Sequence, residues 1–228
     1  MFQRWRHRRR CQKLQKNCAQ PVLSQYLEAC GSLNIDHIDN TPMISVDLEL
    51  TGLDRKSDRI IAIGWTLIDQ GRIRIGSNHH LLINSGQTVG SSAAIHELLD
   101  SEVAQGEDLE AGLGALFSAA KGRLWVFHHA KLDVGFLKRA CERWAGTVPG
   151  FIVLDTLRME LMLRKRRDIP VQQGDLRLSN LRASYHLPRY TAHNALIDAC
   201  ATAELLLAIA GRMDPSGSLR LSPYIRYF

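Results

Sequence analysis

Residues 193–211, HNALIDACATAELLLAIAG, form an apolar stretch with a carboxylate in the first turn of a predicted helix. A helix that is apolar on every side is normally buried on every side. Asp198 nevertheless stands inside this stretch, and no residue within a helical turn of it is basic. A buried carboxylate is costly unless it is paired, hydrogen-bonded or bound to a metal. We therefore expect Asp198 to meet a partner from a distant part of the chain.

The first predicted strand, MISVDLEL (43–50), offers two acidic side chains. Asp47 and Glu49 lie two residues apart, so their side chains project from the same face of the strand. Two neighbouring carboxylates on so apolar a strand repel each other, and a divalent cation such as Mg²⁺ resolves that conflict. For this pair alone, a plain solvated face is the alternative interpretation.

Three further polar residues stand at predicted helix starts. Asp133 falls in a first turn, where a carboxylate favours the helix dipole and often caps the backbone. Asp155 follows a strand and is predicted to cap the helix that begins after it. His193 precedes the last helix, where a histidine can be purely structural. Taken singly, Asp133 and His193 leave both a structural and a functional role open.

The order of predicted elements indicates a mixed α/β sheet with helices on its faces. Strands are predicted at 43–50, 59–69, 72–84, 123–129 and 150–156. Helices are predicted at about 21–31, at 108–120, 131–145, after 156 to about 164, at 178–187 and over 195–210, with a loop at 166–177. The first three strands have short links, including a Gln70–Gly71 turn, and predict an antiparallel meander.

Length and composition indicate one domain, or one domain with an appendage. The chain has 228 residues, of which 45% are apolar and 23% charged. It has no run of 18 apolar residues, so we expect no transmembrane helix. The five cysteines are odd in number and include no C-x-x-C pair, which argues against a disulfide framework or a zinc site and for a reducing compartment, the cytoplasm.

The positive charge is concentrated at the N-terminus. Residues 1–17 hold five Arg, two Lys and no acid, whereas the whole chain carries +6, so the remainder carries −1. We expect a solvated basic arm that contacts nucleic acid or anionic lipid or has no specific contact; a transit peptide is less favoured because the segment is poor in Ser. We divide the chain into this arm with a short helix and linker (1–40), a compact domain (41–212) and a short tail (213–228).

Three segments carry the acidic residues and His193: DLELTGLD (47–54), HHAKLDVGFL (128–137) and HNALIDACATAELL (193–206). In this order they resemble the three motifs of the DEDDh, or DnaQ-like, 3′→5′ exonuclease family, which includes bacterial replicative proofreading subunits and RNase T. The resemblance covers roughly residues 43–210. It implies a ribonuclease-H-like α/β fold, in which a mixed sheet of a three-stranded antiparallel meander plus parallel strands is flanked by helices.

The resemblance also implies a catalytic site. Carried over residue by residue, it makes Asp47, Glu49, Asp133 and Asp198 the ligands of two Mg²⁺ or Mn²⁺ ions. It makes His193 the general base for an attacking water, a role that suits an imidazole near neutral pH.

Substrate contacts are implied beside the acids. Gly52 would allow close approach of the terminal nucleotide, and Leu53 would offer an apolar surface to its base. The implied substrate-binding residues are Leu48, Thr51, Gly52, Leu53, His128 and Ala130. The chain departs from the family pattern at Leu50, where Thr is common, and at His129, where Asn is common; these departures affect nucleotide contacts rather than the implied ligands.

The function implied is a metal-dependent 3′→5′ exonuclease that releases nucleoside 5′-monophosphates from nucleic-acid 3′ ends, single-stranded DNA above all. One alternative is a non-catalytic nucleic-acid-binding or polymerase-associated module on the same fold, against which the complete set of acids and His193 argues. Another is an RNA-directed enzyme of the RNase T or oligoribonuclease type, since the His-x-x-x-x-Asp spacing is shared with RNase T. A polymerase or other protein partner is left open, and no clamp-binding extension is evident after residue 210.

Overall fold

The computed structural model describes residues 2–85, 103–191 and 193–228. Its described residues contain a six-stranded sheet with the order β3-β2-β1-β4-β5-β6. The strands are β1 (Met43–Leu50), β2 (Ile60–Asp69), β3 (Arg72–Leu82), β4 (Leu124–Phe127), β5 (Ile152–Asp155) and β6 (Arg226–Tyr227). β1 to β3 form the predicted antiparallel meander, while β4 and β5 run parallel to β1. The predicted mixed sheet is thus confirmed.

Helices cover both faces of this sheet. They are α1 (Phe2–Lys16), α2 (Pro21–Ser32), α3 (Leu109–Ala119), α4 (Lys131–Ala145), α5 (Thr156–Arg166), α6 (Leu178–Ser184) and α7 (Ala195–Met213). The bounds of α4 equal the predicted ones because a strong apolar stripe runs along it and Gly146, with φ of 59°, ends it in a left-handed cap. Across the described residues, no helix combines the length and apolarity that a bilayer crossing requires.

The N-terminal segment is a docked helix rather than a solvated arm. Cys11 of α1 is fully buried and His7 nearly so, and α1 packs against α2. α2 in turn buries Leu23, Tyr26 and Leu27 in the main core. Residues 1–40 therefore share a core with the central domain, although their charge sets them apart in the sequence.

The C-terminal tail also joins the central body. Its two-residue strand β6 pairs antiparallel with β5, matching Tyr227 with Ile152 and Arg226 with Val153. The backbone N–H of Leu221 donates to the carbonyl of Asp36 over 2.9 Å. β6 could not be predicted, because two residues are too few to show the alternation that marks a strand.

α7, the apolar helix of the opening stretch, lies close against β1 and β2. Ser45 donates to the carbonyl of Ala199 over 2.7 Å. A Cβ at Gly64 would come within 2.1 Å of the backbone carbon of Ala195, so only glycine permits this approach at the start of α7. The small side chains at this interface allow the backbone of α7 to lie directly on the face of the sheet that carries Asp47.

Candidate active site

Three carboxylates from two elements converge at the centre of the sheet. Asp47 and Glu49 project from β1, and Asp198 projects from the first turn of α7. One carboxylate oxygen from each of the three lies within 4.8 Å of the others. Gly64 pairs directly with Asp47 across the sheet, so the residue that lets α7 approach also sets Asp198 opposite Asp47. The distant partners expected for Asp198 are therefore Asp47 and Glu49.

Asp133 stands beside this trio. It is buried in the first turn of α4, and burial raises its pKa to about 8, opposed by hydrogen bonds from its own backbone N–H and that of Leu48. The pKa of Asp47 is raised well above its usual range, first by burial and then by the charges of Asp133, Glu49 and Asp198. The site thus concentrates more negative charge than its own hydrogen bonds offset.

The donor set fits a hard divalent cation. Carboxylate oxygens are the ligands that Mg²⁺ and Mn²⁺ prefer, and a cation removes the mutual repulsion that raises the pKa values of Asp47 and Asp133. The carboxylate of Asp133 is not one of the three whose oxygens lie within 4.8 Å of one another. It lies beside Asp47, Glu49 and Asp198 rather than among them.

His193 is tied to Asp198 through its backbone. Its N–H donates to Oδ2 of Asp198 over 3.0 Å, and its φ of 70° is left-handed, so the chain turns sharply just before α7. Burial raises the pKa of Asp198, and this hydrogen bond opposes the rise. The His193 side chain is exposed and lines the same groove as Asp198.

Asp155 orients the segment that leads into α4. Its carboxylate accepts from the backbone N–H groups of His129 (3.1 Å), Ala130 (3.2 Å) and Arg158 (3.4 Å). The predicted capping of α5 by Asp155 is confirmed. The additional bonds to His129 and Ala130 fix the start of α4, and with it the position of Asp133, which sequence reasoning did not anticipate.

Three of the predicted substrate residues are held by the protein itself. Nδ1 of His128 lies 2.8 Å from Oγ1 of Thr156, and its Nε2 lies 2.9 Å from the carbonyl of Leu176; burial lowers its pKa. The side chains of Leu48 and Ala130 are buried, Leu48 because it alternates with Asp47 and Glu49 and faces the opposite side of β1. The side chains of Leu48 and Ala130 are therefore shielded from a substrate, whereas His128 lines the same groove as Asp198.

In the turn after β1, contacts within the protein itself explain why Thr51 and Gly52 are present. Thr51 donates to Oδ1 of Asp58 over 3.2 Å and accepts from the N–H of Arg59 over 3.0 Å. A Cβ at Gly52 would come within 2.5 Å of Oδ2 of Asp58, so the close approach at Gly52 is made by Asp58 of the same chain. Leu53 is 76% exposed, which leaves its apolar surface open to a ligand.

A groove with a volume of about 1050 Å³ opens beside the carboxylates. It is lined by His128, His193 and Asp198 and by residues that sequence reasoning did not single out: Gln172, Gln173, Arg177, Asn180 and Tyr190. These belong to the 166–177 loop, to α6 and to the segment before α7. Loop composition alone gives no signal for such a wall, because its position depends on tertiary bonds such as that between His128 and Leu176.

Residues 44–206 match the RNase T family model, which is described as Exonuclease. The chain belongs to this exonuclease family. The resemblance drawn from the three motifs is thereby confirmed.

The exonuclease is similar to longer curated proteins. It is 27% identical over 162 residues to the 3′-5′ exonuclease DinG of Staphylococcus epidermidis, covering 71% of this chain and 17% of DinG. It is 29% identical over 184 residues to a DNA polymerase III subunit epsilon-like protein of Rhodobacter capsulatus, covering 79% of this chain and 25% of that protein. The chain thus spans a quarter or less of the length of these relatives.

Solved structures share the fold of the exonuclease. E. coli Exonuclease I in complex with a 5cy-dT13 oligonucleotide gives a TM-score of 0.63 at 14% identity, covering 78% of this chain and 42% of that one. Cell-death related nuclease 4 gives a TM-score of 0.62 at 12% identity, covering 80% of this chain and 66% of that one. At these identities the likeness shows the fold, and it agrees with the predicted ribonuclease-H-like class.

Proposed function

We propose that this exonuclease domain hydrolyses the terminal phosphodiester bond at the 3′ end of single-stranded DNA and releases nucleoside 5′-monophosphates, with Mg²⁺ or Mn²⁺ as cofactor. The observation that carries the proposal is the convergence of Asp47, Glu49 and Asp198 within 4.8 Å beside His193, at the edge of an open groove.

Asp47, Glu49 and Asp198, with Asp133, are the residues that would hold two metal ions. When bound, such a pair stabilises the attacking and leaving oxygens of a phosphodiester hydrolysis. The protein's own contribution is a rigid set of donors, since Gly64 of β2 lets α7 lie directly on the sheet beside Asp47 and Asp155 fixes the start of α4.

His193 is proposed to accept the proton of the attacking water. An imidazole is suited to this step near neutral pH, and the bond from its backbone to Asp198 holds the residue beside the acidic cluster. Its exposed side chain lies on the groove through which a substrate would enter.

The groove suits an unpaired strand. Arg177 and the amide of Gln172 on the groove wall can contact phosphates and base edges, and Leu53, on the turn after β1 and outside the groove lining, offers an exposed apolar surface for the terminal base. Exonuclease I, which shares the fold, has been solved with dT13 and dA16 oligonucleotides, and this supports single-stranded DNA as the substrate.

The deciding experiment compares 3′-labelled single-stranded DNA, duplex DNA and RNA with Mg²⁺ and with excess EDTA. The expected result is labelled mononucleotide, released fastest from single-stranded DNA and not at all in EDTA. Asp198→Asn should be inactive, whereas Asp168→Asn, which changes an exposed acid outside the groove, should match the unmodified protein.

Each alternative has its own result in this assay. Faster release from RNA would assign the domain to RNA turnover. Binding of all three substrates with Mg²⁺ but without release of label would identify a non-catalytic module. Undiminished hydrolysis in EDTA would remove the proposed role of the carboxylates.

A further inference from the structure

A second cluster of metal-ligand side chains lies where α1 meets α2. Nε2 of His7 is 3.2 Å from Sγ of Cys30 and 3.4 Å from Sγ of Cys11. These three atoms lie within 4.8 Å of one another, and all three residues are buried. With Zn–S near 2.3 Å and Zn–N near 2.0–2.1 Å, a sulfur and a nitrogen on one tetrahedral Zn²⁺ are about 3.5 Å apart. The donor atoms therefore have nearly the spacing that one zinc ion requires.

The imidazole of His7 is held in this orientation by packing. A Cβ at Gly150 would come within 2.7 Å of Cε1 of His7, so the ring lies directly on the backbone there. The ring of Tyr227 lies on another side, with centroids 5.3 Å apart. Gly150 precedes β5, whereas Asp155 ends that strand at the carboxylate site, so the two clusters lie at opposite ends of the parallel strands.

Burial of apolar side chains contributes little to the docking of α1 on the domain. Its buried residues are His7 and Cys11, four apart on one face. Residues 1–17 carry five Arg, two Lys and no acid, and like charges on one helix repel. A helix of this length is marginal by itself. Arg4 donates to the carbonyl of Leu33, Arg10 donates to that of Val148, and half-buried Leu14 packs against the core. The two buried side chains of α1, however, are both of metal-binding type and face a third on α2.

We propose that His7, Cys11 and Cys30 bind a structural Zn²⁺ that locks the arginine-rich helix α1 onto the exonuclease domain. Two thiolates and an imidazole favour Zn²⁺ over the Mg²⁺ that suits the carboxylates. A C-x-x-C pair is not needed, because His7 and Cys11 are four residues apart on one helix and Cys30 comes from another. The fourth tetrahedral position is left for a water, because the phenol of Tyr26, 3.8 Å from Sγ of Cys30, already donates to the carbonyl of Gly150 and accepts from Nε1 of Trp125.

The test uses the full chain carrying Asp47→Ala and Asp198→Ala, so that the carboxylate cluster does not contribute metal. Zinc content is measured by mass spectrometry after purification, and Co²⁺ is then titrated into the metal-free, reduced protein. We expect about one zinc per chain, and a thiolate-to-cobalt charge-transfer band that carboxylates do not produce. Cys30→Ser should weaken Co²⁺ binding by at least about a hundredfold, since loss of even an outer-shell partner costs about 10–100-fold.

Cys18→Ser is the matched control. Cys18 is a half-buried cysteine just after α1 whose Sγ contacts the carbonyl of Gln20 and lies outside the cluster, so its loss should leave the band unchanged. A second measurement is tryptic cleavage within α1. Zinc at about 100 times its Kd should slow it by about a hundredfold in the Cys18→Ser chain and have no effect in the Cys30→Ser chain.

Several results would overturn the proposal. They are absence of a thiolate–cobalt band in the chain that retains all three ligands, an undiminished band after Cys30→Ser, or a Cys11–Cys30 disulfide without bound metal in protein purified without reductant. Because the first and third results need no substitution of His7, Cys11 or Cys30, the proposal can fail even if Cys30→Ser does not fold.

Discussion

Asp133 makes the metal-free exonuclease sensitive to pH at the scale of a single residue. Burial raises its pKa from 3.8 to about 8, so between these values the folded chain keeps a proton that the unfolded chain releases. The free energy of unfolding therefore falls as the pH rises from about 4 to about 8. Asp133→Asn removes this part of the dependence. Urea denaturation of both proteins in EDTA at several pH values checks this prediction. An equal fall in the free energy of unfolding between about pH 4 and 8 in the unmodified and Asp133→Asn proteins would contradict it.

Asp47 should be essential for hydrolysis yet unfavourable for the metal-free fold. Burial and then the charges of Asp133, Glu49 and Asp198 raise its pKa, so Asp47→Asn removes a repelled charge at nearly constant volume. Above neutral pH in EDTA, we expect a melting temperature higher by about 2–4 °C, for a gain on the order of 1 kcal/mol, together with loss of hydrolysis in Mg²⁺. Asp168→Asn should change neither. A destabilised Asp47→Asn protein would show that the carboxylate is structural.

His193→Ala should lower kcat by ~10²–10⁴, the usual worth of positioned proton transfer, with KM little changed. The acidic limb of the pH–rate profile should change with it. His186→Ala is the matched control, because His186 is also an exposed histidine with left-handed φ (57° against 70°) and lies outside the groove. Near-normal kcat in the His193 variant, with an unaltered profile, would exclude it as the base.

At the scale of elements, the contact of α7 with β2 decides whether the carboxylates meet. Gly64→Ala places a Cβ within 2.1 Å of the backbone at Ala195, so α7 must move and carry Asp198 away from Asp47. We expect a loss of about 1–3 kcal/mol in the free energy of unfolding, as for overpacking, and a disproportionate loss of kcat/KM. Gly76→Ala is the control on β3, where nothing lies within 4 Å of the added carbon. Equal kcat/KM in both variants would show that catalysis does not depend on the placement of α7.

Elements with a strong periodic pattern could be predicted from the sequence, and short or charge-dominated elements could not. β1 and α4 were predicted with the bounds they have, because their apolar spacing is regular over a whole element. α1 shows no apolar face, and β6 is too short for a pattern. Asp198 could be singled out because a carboxylate in an apolar helix is costly, whereas Asp155 looked like a simple cap since its bonds to His129 and Ala130 are tertiary.

At the scale of the whole molecule, charge and catalysis are separated. Residues 1–17 hold all the net positive charge, and the remainder carries −1. α1 carries that charge, and its His7 packs against Gly150, which lies just before β5. The carboxylates lie near the other end of the parallel strands. A long polyanion can reach both regions, while a short one bound at the site does not need α1.

The exposed arginines of α1 should therefore affect binding of long strands without affecting catalysis on short ones. Arg6, Arg8 and Arg9 are exposed, and replacing the three by Gln leaves the buried His7 and Cys11 in place, which deletion of residues 1–17 would not. If each arginine neutralises a phosphate, the slope of log K against log salt on single-stranded DNA becomes less negative by about two, since each contact contributes about −0.7.

The control replaces Arg72, Arg74 and Arg220, which are also exposed, by Gln and removes the same charge from other surfaces. The slope is measured on one long single-stranded oligonucleotide, and kcat on a short one at saturation. The expected result is a less negative slope in the α1 variant alone, with kcat unchanged in both variants. Equal slopes in both variants and the unmodified protein would mean that α1 does not contact the substrate. Equal reductions in both would mean that net charge rather than the placement of α1 attracts the strand.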